Sequence, residues 1–323
     1  MEGIKIYRRP KLKNPYFIVA WPGMGEVAFK AAKYLVEKLK AEEFAEIPPE
    51  DFFYLTASVV QEGILSAPEL PYSKFYYWKN PEGTKDLIIF ISNAQPDLAK
   101  AQDYCRRILE VAKKFQSQII VGFAAMPQPV DHTQASGVWF TSTSAEINKQ
   151  FKVYNLNILS EGQISGMNGL FLGIAKNEGF QGFCLLGEIP LYTIQTENPK
   201  ASQSVLEALA RIIEIKIDFS GLIEQTRAME EEINKLLDYL KLGPATAPIG
   251  EEEIEKIKKY LSQLTKLPAS IKENIESLFS EVKKDISKAN QLKSELDKWN
   301  VYKEYEDRFL DLFKKKHNKD KSN

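Results

Sequence analysis

Residues 17–39 read FIVAWPGMGEVAFKAAKYLVEKL, and the fold is decided there. The apolar run Phe17-Ile18-Val19-Ala20 stops at Trp21-Pro22-Gly23-Met24-Gly25. Beyond it Val27, Ala31, Tyr34, Leu35 and Leu39 recur at helical spacing on one face. Strand, glycine turn and helix in this order open an α/β sheet, and in open sheets of that class ligands and partners gather outside the carboxyl ends of the strands. Residues 23–28 also satisfy the dinucleotide pattern G-x-G-x-x-G/A, in which glycines let the backbone approach a pyrophosphate at a helix N-terminus. Glu26 stands against that use, because a carboxylate in the first helical turn repels a phosphate in the same place. No Lys-Ser or Lys-Thr follows the glycines, so the turn is not a P-loop. A tight structural turn or the wall of a non-nucleotide pocket is the better expectation.

Working outward, apolar strand runs recur at residues 87–92 (LIIFIS), 119–123 (IIVGF) and 183–186 (FCLL). Uninterrupted runs of this kind belong to strands covered on both faces. Helical patterns fall at 26–40, 97–115, 142–151 and 200–213, and a short one follows residue 170. Gly173 inside that short pattern is expected to mark close packing. Shorter runs at 3–7 and 74–78 suit edge strands or a hairpin. The alternation predicts a three-layer α/β domain with a mostly parallel or mixed sheet over residues 1–220.

After residue 220 the strand runs stop, and residues 221–323 read as a helical extension, densely charged with the two signs nearly balanced. One helix is expected at 222–240, a Gly-Pro loop at 243–248 and a second helix at 251–264. Ser270 and Glu273 fit a capping box for a third. Ile271, Ile275, Leu278, Val282, Ile286, Ala289, Leu292, Leu296 and Trp299 then form one stripe, which predicts a single long helix in a coiled-coil-like hairpin. Residues 314–323 are polar and expected to fray.

Composition bounds the function. The 323 residues are 44% hydrophobic with a net charge of −1, which gives neither a basic face for nucleic acid nor a polybasic patch for membranes. No apolar run approaches the roughly 18 residues that span a bilayer. The first residues carry no apolar signal core, so a cytoplasmic location is expected. The two cysteines, Cys105 in a helical pattern and Cys184 in an apolar strand, read as buried reduced thiols. Without a Cys/His cluster, neither a metal nor a cofactor is expected.

Few residues offer chemistry. His132 follows a strand in a loop, beside Asp131, but adjacent loop residues usually point apart. Ser165 lies outside any G-x-S-x-G motif, and with Asn168 it is expected to satisfy backbone groups of the turn Gly162 to Leu170. Glu188 is the best catalytic candidate, because it follows a buried strand at the functional edge. The better expectation for it is structural, a helix cap or an ion pair with an arginine between subunits. Trp21, Tyr72, Phe75, Tyr76, Tyr77 and Trp78 form an aromatic set suited to core or to a subunit interface.

Five segments in order carry a resemblance: residues 21–28, the run 86–92 leading to Gln95-Pro96, the turn 162–170, residues 185–190, and a helix opening at Asn198-Pro199-Lys200-Ala201-Ser202. Over residues 15–220 the chain resembles the proteasome assembly chaperone 2 family, whose fold is similar to that of the purine nucleoside phosphorylases and related hydrolase-like domains. The resemblance implies a non-enzymatic assembly chaperone acting through protein–protein contact, with a proteasome-related partner and self-association into a homo-oligomer. The ligand or partner edge would comprise Trp21, Gly23, Met24, Gly25, Gln95, Gly162, Ser165, Gly166, Asn168, Gly187 and Glu188. The alternative is a small-ligand binder or enzyme with a nucleoside-phosphorylase-like or ATP-grasp-like pocket, although no paired carboxylates beside a nucleotide loop establish the latter. Two departures stand out. Gln95 occupies a position where the family often carries an acid. The chain ends Lys321-Ser322-Asn323 rather than in the hydrophobic-tyrosine-any tail by which archaeal relatives engage the proteasome, so that docking mode is not expected here.

Overall fold

The structure, a computed structural model, describes residues 3–54, 58–61, 63–67, 69–83, 85–242, 269–298 and 301–314. It divides into two compact units, Met1–Leu264 and Thr265–Asn323. In the first the chain runs β1 (Lys5–Ile6), β2 (Tyr16–Ala20), α1 (Val27–Leu39), β3 (Glu42–Glu46), β4 (Val59–Gln61), β5 (Ile64–Ser66), β6 (Ser73–Trp78), β7 (Leu87–Ser92), α2 (Ala101–Lys114), β8 (Ile119–Gln128), β9 (Val138–Ser142), α3 (Ala145–Phe151), β10 (Asn157–Ile158), α4 (Met167–Asn177), β11 (Gln181–Pro190), α5 (Pro199–Ile213) and α6 (Ser220–Leu242).

Nine strands form one sheet in the order β1-β3-β6-β7-β2-β8-β11-β9-β10, and β4 pairs with β5 apart from it. The four central strands, β7-β2-β8-β11, are parallel. They are the apolar runs of the sequence, and every residue of β2 and β7 is buried. Alternation along β2 divides the core. Phe17, Val19 and Trp21 join a cluster with Tyr104 and Ile108 of α2 and Phe171 of α4. Helices α1 and α5 cover the opposite face, and α6 packs outside α5 with Leu222, Ile233 and Leu236 buried. The result is the three-layer α/β fold with added helices.

The chain moves from β2 to one side of the sheet and, after β7, to the other. The end of β2 is therefore the topological switch point, where the fold leaves room between diverging loops. All four parallel strands open onto that edge. Trp21 caps it with its indole 5.4 Å from the rings of both Phe90 and Phe171, pairs of the kind worth about 0.5–1.5 kcal/mol each beyond their buried area.

Some elements differ from expectation. β3 reads EEFAE and carries no strand signal in sequence, because only Phe44 and Ala45 turn inward on this antiparallel strand. The helix expected at 142–151 begins at Ala145, since residues up to Ser142 are drawn into β9 and Ser144 caps the helix from its own side chain. A Cβ at Gly173 would meet open space, so the close packing expected there is absent. In the second unit, α7 (Ala269–Lys284), α8 (Ala289–Lys298) and α9 (Tyr302–Lys314) replace the single long helix. The break falls at Asp285, which is extended (φ −137°, ψ 101°), and its carboxylate accepts from Ser287 N, starting a 3₁₀ turn. Within this unit Arg308 lies over the Phe279 ring and donates to both oxygens of Glu276, at 2.6 and 2.5 Å. The expected loop at 243–248, helix at 251–264, capping-box side chains, Trp299 and the last residues lie outside the described residues.

Cys105 and Cys184 are fully buried, and burial pushes both thiols up to about 12. The folded protein is expected to give no reaction with a thiol reagent at mildly alkaline pH, and two equivalents once unfolded in denaturant. Rapid labelling of either cysteine in the native state would contradict this packing.

Candidate functional site

At the end of β2 the backbone runs out of strand neighbours, and side-chain amides take their place. The Trp21 N–H donates to Asn168 Oδ1 at 3.0 Å, and Asn168 Nδ2 donates back to the Trp21 carbonyl at 3.0 Å. One step on, Gln95 Nε2 donates to the Pro22 carbonyl at 2.8 Å while its Oε1 accepts from Met167 N at 3.2 Å. Two amides thus fasten the β2 turn to the start of α4. Gly166 makes this possible: its φ is +71°, and a Cβ there would sit 3.0 Å from the Gln95 amide. Gly25, with φ +61°, ties the same turn to the segment before α5, donating to Ile194 O and accepting from Asn198 N, both at 2.7 Å. Glu26 continues in the left-handed region at φ +52°. Burial holds its carboxyl above the usual range, Glu197 adds to this, and Lys30 partly opposes it.

The structure thus brings Trp21, Gly23, Gln95, Gly166 and Asn168 together, but it corrects what each presents. The Trp21 indole is fully buried and beyond reach of a partner, so only its backbone belongs to the edge. Asn168 is buried at 5% exposure. Gly187 lies inside β11, where a Cβ would come within 2.8 Å of the Ala201 carbonyl, so its smallness serves the packing of α5. Gly162 lies beside Leu159, and Met24 and Ser165 are half-buried. Of the expected edge residues, Gly23, Gln95, Gly162 and Gly166 face outward.

A second cluster lies at the ends of β8 and β11. Glu188 accepts from Trp139 Nε1 at 2.7 Å and from Gly137 N at 3.1 Å. Within the chain it folds the 131–137 loop back onto the sheet through neutral donors rather than capping a helix. His132 is buried, with its side chain 4% exposed. Its backbone N–H donates to Tyr192 Oη at 2.8 Å, Tyr192 pairs with Nδ1 at 2.9 Å, and Nε2 pairs with Asn234 Oδ1 of α6 at 2.9 Å. An Asn oxygen accepts, so Nε2 carries the proton and Tyr192 donates to Nδ1. Contrary to expectation, Asp131 points toward its neighbour, with Oδ1 3.5 Å from His132 Nδ1. Hydrogen bonds from Thr133 hold its carboxyl below the usual range. Lys200, in the first turn of α5, donates to the carbonyls of His132 (2.5 Å) and Gln134 (3.0 Å) and pairs with Glu230 of α6. The cavity among these groups is about 20 Å³, room for about one water.

Tyr192, Lys200, Glu230 and Asn234 were not legible as site residues. They are ordinary surface residue types, and only the docking of α6 gives them a shared role. Among the described residues no group of three or more His, Cys, Asp or Glu side chains is placed to hold a metal ion, and no helix is long and apolar enough to cross a membrane.

The amide clamp is testable. Asn168→Ala strands the buried N–H and C=O of Trp21 and is expected to cost about 2–4 kcal/mol in urea unfolding. Gln95→Glu removes the donor facing the Pro22 carbonyl at an exposed site and is expected to cost about 1 kcal/mol. Equal, negligible losses would show that the amides do not hold the edge.

Residues 17–237 match the model of the PAC2 family, a span that contains both clusters. An uncharacterized protein of Methanocaldococcus jannaschii is 28% identical over 255 residues, 76% of this chain and 93% of the relative. Among solved structures, Pyrococcus furiosus PbaB, described as an archaeal proteasome activator, is 28% identical with a TM-score of 0.62, covering 72% of this chain and 97% of its own. A PAC2 family protein from Streptomyces avermitilis is 21% identical (TM-score 0.60, 69% of this chain and 96% of that one). Pyrococcus furiosus PbaA, described as an archaeal homolog of proteasome-assembly chaperone, is 22% identical (TM-score 0.57, 82% and 100%). At those two identities the likeness is one of fold. With more than half its length matched by the family model, the chain belongs to the PAC2 family.

Proposed function

We propose that this chain is a non-enzymatic, proteasome assembly chaperone-like protein, acting in the cytoplasm and as a homo-oligomer by holding a protein surface. One observation carries the proposal. Asn168 and Glu188, the polar side chains of the alternative ligand pocket, and the neighbouring candidates Gln95 and His132 are each engaged by the chain's own backbone or side chains. His132 has both ring nitrogens occupied, and Glu188 has a donor on each carboxylate oxygen. Groups so engaged position loops, and repeated loops on a rigid sheet make a recognition surface. The names borne by PbaB and PbaA supply the partner class, since both refer to the proteasome. In this mechanism the loop edge holds a proteasome subunit and is displaced when assembly buries the contact.

Size-exclusion chromatography of the purified full-length chain with proteasome subunits from the same source tests this. The subunits are expected to elute with the chain before assembly, and the chain to elute alone once they are assembled. Independent elution of chain and unassembled subunits would overturn the proposal.

A further inference from the structure

The connection between β3 and β6 is far longer than those strands require. Antiparallel neighbours close with a loop of a few residues, and long connections in compact domains are usually functional. Here the chain leaves β3 at Glu46 and rejoins the sheet at Ser73. The base of the excursion is fixed. Phe52 and Phe53 are buried with their rings 4.8 and 5.9 Å from Tyr104. The Asp97 N–H donates to Phe52 O at 3.0 Å, and Tyr72 N–H donates to Asn93 Oδ1 at 2.7 Å. Asn93 and Asp97 follow β7, so this base stands at the carboxyl edge that also carries Gln95 and the Gly23 turn.

Beyond the base the burial pattern inverts. Tyr54, Val60, Ile64 and Leu65 are 61%, 62%, 71% and 69% exposed, and Leu70 is 40% exposed. Val60 and Leu65 are direct cross-strand partners in the β4–β5 hairpin, so their side chains share one face. The hairpin belongs to no larger sheet among the described residues. A two-stranded ribbon is marginal alone in water, and clustered exposed aliphatics mark interaction sites.

Charge decides what covers it. Residues 41–73 hold Glu42, Glu43, Glu46, Glu50, Asp51, Glu62 and Glu69 and not one Lys or Arg. Arg8, Lys74, Lys5 and Arg107 pair with Glu42, Glu43, Glu46 and Asp51. Glu50 and Glu69, both exposed, add to the negative charge of the excursion. Laying a second copy against the first would oppose like charges, whereas a basic surface neutralises them. We infer that the β4–β5 hairpin, with Tyr54 and Leu70, is the docking surface for a protein whose contact face is apolar with a basic rim. This rests on the proposed function, and the partner is the proteasome subunit held there.

Hydrogen exchange of the full-length chain, with and without purified proteasome subunits, tests the assignment alongside Leu65→Glu and Glu69→Lys. Both replace exposed side chains outside the core, so the fold is expected to persist, with unchanged circular dichroism. The subunits are expected to slow exchange across residues 58–70. Each substitution should weaken binding about tenfold or more, and binding should fall as salt rises. Binding that leaves 58–70 unprotected and both variants unaffected overturns the docking surface while the proposed function stands. No binding by the wild-type chain overturns both. Protection of 58–70 that grows with the chain's own concentration, without subunits, makes the occupant a second copy and overturns the assigned partner.

Discussion

Two hydrogen bonds between Asn168 and the backbone of Trp21 join the end of β2 to the start of α4 across 147 residues of sequence, and the geometry of the carboxyl edge depends on them. A strand that ends inside a protein leaves an N–H and a carbonyl that water cannot reach, and an unpaired buried group costs more than a hydrogen bond gains. Asn168 meets both demands with one amide. Its own burial is possible only because its donor and its acceptor are both engaged. Gln95 repeats the device at the exposed rim, one residue further along. An acid at residue 95 could accept from Met167 N but, when ionised, could not donate to the Pro22 carbonyl. Glutamine is therefore well suited to this contact.

The same logic runs through the cluster beneath α6. Glu188 holds the 131–137 loop, His132 joins that loop to Tyr192 and to α6, and Lys200 reaches loop carbonyls and Glu230 together. A titratable group in a cleft is often taken as catalytic, yet such groups also build structural networks. Here the partner of each is named by the geometry. One fold hosts many activities, so the engagement of its polar groups says more about use than the fold does.

Sequence made the central sheet legible because β2, β7, β8 and β11 are buried on both faces and so are written as uninterrupted apolar runs. The glycine turns were legible for a similar reason: positive φ at Gly25 and Gly166 demands a particular residue type. β3 was not, because an antiparallel strand away from the centre of the sheet needs only two inward residues. The break at Asp285 was hidden because the apolar stripe continues across it while a single carboxylate reorganises the backbone. Trp21 was read both as an edge residue and as core, and its ring turns into the core, since spacing locates a residue and says nothing about which side of the turn its ring enters. The contacts of His132 with Tyr192 and Asn234 join residues 60 and 102 positions away, beyond any local pattern.

The central claim is that the carboxyl edge is built for protein contact, with its polar groups committed to structure. The most direct measurement is the melting temperature of the full-length chain in the presence of phosphate, nucleosides, nucleotides and, separately, proteasome subunits. Anything that binds only the native state raises that temperature by mass action. The subunits are expected to raise it and the small molecules to leave it unchanged. A rise with any of the small molecules, and none with the subunits, would contradict the claim and return Gly23, Gln95 and Gly166 to the role of a ligand pocket.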